Sequence, residues 1–352
     1  MQINLLALIV RQIFIVVILM FLCGWQIDAQ WQRQIVDVTI GLRGLAVVNE
    51  RVVWASGANG TFVRTIDGGK TWQTGQVPGA ENLDFRDVAA FGANTAYLLS
   101  IGAGETSRIY KTTDGGKNWT LQFKNTDQRV FLDAFDFWDE HHGIAMGDPV
   151  GNHFYLLATN DGGKNWKPLS TEKMPAAKTG EAAFAASGTC LVTSGKNDVY
   201  LVTGGKAARV FRSTDRGKSW VVADAPIISG ESGAGIFSIG FANAKRGVIV
   251  GGNYEQPNEN TNNLALTQDG GATWQAANGL SGYRSGVTFV DSQTLVAVGA
   301  SGSDMSTDGG KTWKNLDKEN YNAVQATDKK AVWAVGAKGL IARLIINGAN
   351  SR

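Results

Sequence analysis

Six prolines, three histidines and two cysteines are all that the 352 residues contain, and only 18% of side chains are charged. Each scarcity narrows the reading. Cys23 belongs to an N-terminal apolar segment, so Cys190 stands alone in the remainder and no intramolecular disulfide framework is available there. The histidines, His141, His142 and His153, are crowded into one stretch. No haem motif, dinucleotide fingerprint or metal triad accompanies them, and neither a metal nor a cofactor is expected. With 33 basic and 31 acidic residues the net charge is +2, which gives no footprint for nucleic acid or an anionic membrane surface. The apolar run Ile13 to Cys23, preceded by Arg11, is too short for an ordinary membrane span and fits the h-region of a secretory signal. Residues 1–29 are therefore expected to be a signal peptide cleaved after Ala29, leaving 30–352 as one secreted or periplasmic domain. The alternative is an uncleaved anchor. Beyond that anchor, or a membrane-protein partner, nothing links the chain to a membrane.

What the chain has in quantity is glycine, 44 residues of it, and an octapeptide repeated six times. The copies are TIDGGKTW from Thr65, TTDGGKNW from Thr112, TNDGGKNW from Thr159, STDRGKSW from Ser213, TQDGGATW from Thr267 and STDGGKTW from Ser306. Their aspartates (Asp67, Asp114, Asp161, Asp215, Asp269, Asp308) are 47, 47, 54, 54 and 39 residues apart. A period of roughly 40 to 50 residues with strand-like stretches between turns signals a β-propeller. The Asp-Gly and Gly-Gly steps supply positive φ, and the carboxylate can close the turn onto backbone N–H groups. The closing tryptophans (Trp72, Trp119, Trp166, Trp220, Trp274, Trp313) are large enough to anchor the outgoing strand between neighbouring sheets. The pattern resembles the Asp-box, or BNR repeat, of sialidases, xyloglucanases, sortilin-type receptors and photosystem II stability/assembly factors. In those families the box is a peripheral turn, so these twelve residues read as structural.

Counting units gives seven blades. Val53 to Gly60 runs into the first box, and Val332 to Gly339 repeats that register near the C-terminus, where the box has decayed to Leu344-Ile345-Ile346-Asn347-Gly348. The missing outer strand has a candidate at the other end: Trp31-Gln32 precedes Arg43-Gly44-Leu45 as Trp72-Gln73 precedes Arg86-Asp87-Val88. The expectation is an all-β, seven-bladed propeller of four-stranded antiparallel blades, closed by the N-terminal strand pairing in the last blade. Closure of this kind removes exposed sheet edges.

In such a ring the first strand of each blade lines the channel and its leading residue sits at one mouth. Aligning on Phe91, Phe137, Phe241 and Phe289 places Arg43, Arg86, Leu132, Glu181, Ile236, Arg284 and Asn322 there. The three arginines cluster on one side and, with Asn322, form a candidate receptor for an anion or carboxylate through bidentate N–H geometry. Glu181 and Tyr283 are the candidate acid–base pair. The Asp139-Glu140-His141-His142 patch occupies a hairpin turn, and adjacent strand histidines point to opposite faces, so no metal is assigned. The insertion Asn253 to Asn263 and the Gly147-Asp148-Pro149 segment enlarge two blades, where binding surfaces accumulate.

Across residues 31–346 the chain resembles bacterial secreted Asp-box propellers related to the photosystem II stability/assembly factor family, with Gly57 to Trp72 matching the recurring unit. The stretch from Gly180-Glu181-Ala182-Ala183-Phe184 to Arg209-Val210-Phe211-Arg212 is similar to uncharacterised secreted BNR or glycosyl hydrolase-like proteins. The first resemblance implies a non-enzymatic scaffold that binds a membrane-protein precursor through a face with basic residues, here Arg43, Arg86 and Arg284. The partner would be a protein, or a carbohydrate or anionic small ligand. The alternative is a glycoside hydrolase, sialidase-like or otherwise carbohydrate-active. Phe85-Arg86-Asp87-Val88 lacks the proline of the sialidase [FY]-R-I-P motif, and Glu181 with Asp133 or Asp148 is the one carboxylate pair it could nominate.

Overall fold

The computed structural model describes residues 28–347, all of them strand, turn or short 3-10 segment. The expected signal peptide lies outside these residues except for Asp28 and Ala29, and Cys23 lies outside them. Seven antiparallel four-stranded blades form the ring, and the short strands Glu181–Ala182 and Gly204–Gly205 extend the sheet of blade 5 to six strands. Blade 1 is typical, with an inner strand Leu42–Val47, then Val53–Gly57, Thr61–Thr65 and an outer strand Gln73–Gln76. The inner strands of the other blades are Phe85–Ala90, Leu132–Phe137, Leu191–Ser194, Ala234–Phe241, Gly286–Phe289 and Tyr321–Ala326. Blade 7 takes its outer strand from the start of the chain: Asp28–Arg33 pairs with Ile341–Asn347, Trp31 opposite Leu344. The Trp31 indole donates to Ser303 Oγ at 2.9 Å and packs on Tyr321, so the clasp also grips blade 6.

Strand direction sorts the loops onto two ends. Each inner strand runs from what we term the upper end to the lower, and the antiparallel order then puts every octapeptide, between third and outer strands, at the lower end. The insertion after Gly247–Asn253 and the turn after Gly143–Val150 fall at the upper end with the connections between blades.

The octapeptides are one hydrogen-bonded device used six times. In the first, Thr65 Oγ1 donates to Asp67 Oδ1 (2.8 Å) and accepts from Gly69 N (2.9 Å), while Thr71 donates its N–H and hydroxyl to the two carboxylate oxygens (2.9 and 2.6 Å). Asn118 and Asn165 make the same contacts through their side-chain amides. Gly68 and Gly69 at φ of 75° and 88° give the chain reversal that a Cβ would strain. The tryptophans turn towards the preceding blade: Trp72 lies edge-on to Trp333 of blade 7, and Trp119 to Trp54 and Phe62 of blade 1.

At the axis the inner strands converge as sheet edges, with backbone groups that no ladder satisfies. Side chains of neighbouring blades satisfy them. Asp87 Oδ2 accepts from Phe135 N (2.9 Å), Asp136 Oδ2 from Thr193 N (2.7 Å), Ser238 Oγ from Val287 N (3.0 Å) and Ser107 Oγ from Leu132 N (2.9 Å). Gln325 Oε1 accepts from Val47 N across the closure. Gly44 is obligatory here, because a Cβ would stand 2.3 Å from Ser56 Oγ and 2.9 Å from the Asp87 backbone.

Two expected outcomes follow from closure and from the turns. Trp31→Ala removes the anchor of the clasp, and a cost of about 2 kcal/mol should lower the thermal midpoint by several degrees. Hydrogen bonds from the residue four further on hold Asp67, Asp114, Asp161 and Asp269 down at about 2. At Asp215 and Asp308 burial pulls upward, yet the hydrogen bonds prevail and the pKa is again lowered. Carboxylates that titrate lower in the fold contribute stability above about pH 4 and lose it as the pH falls towards 2. The midpoint, followed by circular dichroism, should fall steeply across that window, and less steeply in Asp114→Asn.

Candidate functional site

The channel is not open from end to end. Between Glu181–Ala182 and Leu191–Ser194 the chain leaves the rim, and residues 183–190 cross the axis. Arg43 of blade 1 donates to Ala186 O (3.3 Å) and Arg86 of blade 2 to Ala185 O (3.1 Å). Ser187 Oγ donates to Ser285 O of blade 6 (2.7 Å), Thr189 Oγ1 meets Ser238 Oγ of blade 5 (2.7 Å), and Ala183 N donates to Asp148 Oδ1 of blade 3 (3.0 Å). This segment divides the channel into two blind cups.

The upper cup encloses about 420 Å³. One wall is aromatic: Phe184 stacks on Phe237 at 3.9 Å between centroids, Tyr283 stands edge-on to Phe237 at 4.8 Å, and Tyr254 from the blade 5 insertion covers both. Facing it are Arg43 and Arg86, with Ser285 and Asn322 between. Burial and the Arg86 charge both lower the Arg43 pKa, as expected of two guanidinium groups crowded in one recess. Arg86 is offset by Asp84, its Nε 2.8 Å from Oδ2. Among the described residues no carboxylate lies within ion-pair distance of Arg43. Each arginine gives the crossing segment a single N–H; the other donors of Arg43, and those of Arg86 apart from the Nε–H held by Asp84, remain for a ligand.

Arg43, Arg86 and Asn322 share a backbone device. Five inner strands carry a β-bulge, at Arg43, Arg86, Asp133, Phe237 and Asn322, which shows as register shifts across Leu42/Gly44, Phe85/Asp87, Leu132/Ala134, Ile236/Ser238 and Tyr321/Ala323. A bulge re-aims its extra residue, and here four of the five, all but Asp133, line the cup. This register corrects the sequence alignment. Ala90, not Phe91, is equivalent to Phe137, so the ring position is held by Asp133, Phe237 and Ser285 where the alignment placed Leu132, Ile236 and Arg284.

Arg284 lies outside the cup. It is wholly buried inside blade 6, with Nε 2.8 Å and Nη2 2.6 Å from Asp304 Oδ2, and it also donates to Tyr283 O, Ser301 Oγ and Ser281 Oγ. Glu181 is not at the mouth either, since the extra residues before blade 4 displace it; by register the ring position falls on buried Cys190. The Glu181 carboxylate is sequestered by Arg209, by Thr203 Oγ1 (2.6 Å) and by Lys178 N (2.8 Å). Tyr283 does line the cup, but burial pushes its phenol up, which makes it a hydrogen-bond donor and not a base. Asp133 and Asp148 do not oppose Glu181 across a cleft: Asp133 is buried beneath the crossing segment, and Asp148 holds Ala183 N. Asp139 closes its own turn by accepting from His141 N and His142 N and pairing with His142 Nδ1 at 2.8 Å.

Sequence reasoning missed the crossing segment and the aromatic wall. The signal was present as the lengthening of the box interval from 47 to 54 residues at blade 4, together with the small-residue run Ala182-Ala183-Phe184-Ala185-Ala186-Ser187-Gly188.

The lower cup, about 400 Å³, is lined by all seven inner strands and contains no basic side chain. Phe91, Phe137, Phe241 and Phe289 ring its mouth, and Asp87 and Asp136 lie deeper. Burial, reinforced by Asp136, raises the Asp87 pKa to about 8 against the pull of its hydrogen bonds from Phe135 N and Val88 N.

No family model matches the chain. The photosystem II assembly lipoprotein Ycf48 of Picosynechococcus sp. is 24% identical over 203 residues, 56% of this chain and 49% of the relative, so the match spans about half the length of that curated protein. Among solved structures, YCF48 bound to a D1 peptide superposes with a TM-score of 0.64 at 17% identity, covering 90% of this chain and 96% of that one. YCF48 from Cyanidioschyzon merolae gives 0.65 at 18% identity, with 90% and 99% covered. The U3-55K structure gives 0.60 at 12% identity, with 90% and 98% covered. The seven-bladed propeller is thus shared with proteins of different names, and Ycf48 proteins are among those this chain is similar to.

The buried ion pair supplies a check on the structural reading of Glu181. Glu181→Ala leaves the Arg209 guanidinium buried and uncompensated, and should cost about 3–5 kcal/mol in chemical denaturation.

Proposed function

We propose that this chain is a secreted or periplasmic propeller scaffold that binds an acidic peptide segment of a protein partner in its upper cup, without chemistry of its own. The observation that carries the reading is the pairing, in one recess on the axis, of two guanidinium groups with spare donors and a wall of four aromatic rings. Carboxylates take bidentate hydrogen bonds from arginine, and apolar peptide side chains stack on aromatic faces. The cup also opens on the end that carries the insertions, away from the six octapeptide turns. The likeness to Ycf48, one of whose solved structures holds a D1 peptide, supports a peptide over a sugar and an assembly role of the photosystem II factor kind. The sequestered Glu181 and the protonated Tyr283 phenol leave the carbohydrate-active alternative without an acid–base pair in this cup.

Fluorescence anisotropy with short peptides carrying an aromatic residue beside Asp or Glu tests the proposal. Affinity should fall with salt, and about tenfold or more in each of Arg43→Ala and Arg86→Ala, since hydrogen bonds to charged groups are worth about 1.5–3 kcal/mol. Replacing the peptide carboxylates by amides should cost as much. Binding indifferent to both arginines, or turnover of aryl glycosides that survives purification, would replace this reading with another.

A further inference from the structure

We infer that residues 183–190 are a releasable plug, whose withdrawal joins the two cups into one channel and lets the buried Asp133 carboxylate meet Arg86. Three observations carry this. First, most of the segment is held by single contacts and not by a ladder: the two arginine N–H donors, the Ser187 and Thr189 hydroxyls, Asp148, and two backbone bonds confined to its foot, from Ile239 N to Thr189 O and from Val202 N to Cys190 O. Most of its side chains are small (Ala183, Ala185, Ala186, Ser187, Gly188), so the apolar contact that withdrawal must break is concentrated in Phe184 on Phe237 and in the buried Cys190. Secondly, the segment seals in a carboxyl group that is only half satisfied. Asp133 is buried, and its Oδ2 has no hydrogen-bond partner. A buried orphan acceptor needs an explanation, and a second state in which it is paired supplies one. Thirdly, Arg86, whose Nη1 now holds the plug carbonyl of Ala185, is the cation whose field reaches Asp133. Release would exchange a neutral carbonyl for a carboxylate on the same guanidinium.

The charges around the plug give release a direction with pH. Asp133 faces Asp148 on its own blade and Arg86 on blade 2; Asp87 faces Asp136 of blade 3; and Cys190, at the foot of the plug, faces both Asp133 and Asp87. Burial, with Asp148 adding to it, raises the Asp133 pKa well above its ordinary value, and Asp87 titrates at about 8. Gly188 of the plug lies so close to Asp87 that a Cβ there would stand 2.2 Å from Oδ1. Groups whose pKa is raised in the closed state favour it while protonated and oppose it once ionised, so the plug should loosen as the pH rises through about 8.

Cys190 reports the event, because it is fully buried while the plug is seated. The test is alkylation of the full chain by iodoacetamide, with labelling mapped to the Cys190 peptide so that Cys23 does not contribute. Rates are normalised at each pH to those of the denatured chain. The normalised rate should rise above pH 8 by about tenfold per unit for each proton released. Asp133→Asn, which has no hydrogen bond at Oδ2 to lose, should flatten that rise, and Asp87→Asn should lower the part centred near pH 8. Hydrogen exchange run alongside should show Leu295–Gly299, a second strand remote from the plug, still protected. A pH-independent normalised rate, an unchanged profile in Asp133→Asn, or labelling that merely tracks loss of protection at Leu295–Gly299 would each overturn the inference. None of these readouts involves a peptide, so failure of the binding proposal would leave this test standing.

Discussion

Seven sheet edges pointing at one axis pose a hydrogen-bonding problem before they pose any other. An inner strand has a ladder on one side only, and the N–H groups on its free side are buried where a bare donor is costly. The ring answers with side-chain oxygens lent by the next blade: Asp87 to Phe135 N, Asp136 to Thr193 N, Ser107 to Leu132 N, Ser238 to Val287 N and Gln325 to Val47 N. Much of the polarity of the channel is therefore structural. The same need fixes how closely blades approach, which is why Gly44 tolerates no Cβ. It also explains why two acidic residues sit in the lower cup, which has no basic lining: each carboxyl is there as an acceptor for its neighbour's backbone.

The two ends of the ring have then been free to specialise. At the lower end a turn is repeated with little change, its aspartate closed upon by its own backbone and hydroxyl neighbours, and its tryptophan welding one blade to the next. At the upper end nothing repeats. Bulges project Arg43, Arg86 and Asn322, the blade 5 insertion contributes Tyr254, and a detour before blade 4 supplies both the floor and Phe184. A regular frame with one irregular face is how repeat folds acquire binding surfaces.

This division also explains what could be read from the chain. The architecture was legible because it is written six times over, and the closing strand because Trp31 and Trp72 stand in the same relation to the strands that follow them. Arg43, Arg86 and Asn322, which counting along inner strands placed at the mouth, do line the upper cup, as does Tyr283, nominated as the neighbour of Arg284. Arg284 and Glu181 were misplaced by the same counting, for two distinct physical reasons. Phe91 lies one residue past the end of its strand, where Phe137 and Phe289 end theirs, so counting from it falls one residue short of Ser285 and lands on Arg284, whose side chain lies inside blade 6, where Asp304 neutralises it. An inserted crossing moves the ring position from Glu181 to Cys190, and no periodicity reports a segment that belongs to no blade. Long-range stacking such as that of Phe184 on Phe237 becomes visible only when the ring is assembled.

The strand Asp28–Arg33, which completes blade 7, has a kinetic meaning during vectorial synthesis. It emerges from the ribosome ahead of every blade, yet its hydrogen-bonding partner Ile341–Asn347 follows all the other strands of the ring. Blades 1 to 6 can form as they appear, whereas the clasp must wait as an unpaired edge of the kind that recruits foreign strands. Its sequence, DAQWQR, carries an acid, a base and two glutamines around the single tryptophan, a composition that keeps a waiting strand soluble. The nascent chain thus holds its own fastener in reserve until the last strand of the ring has appeared.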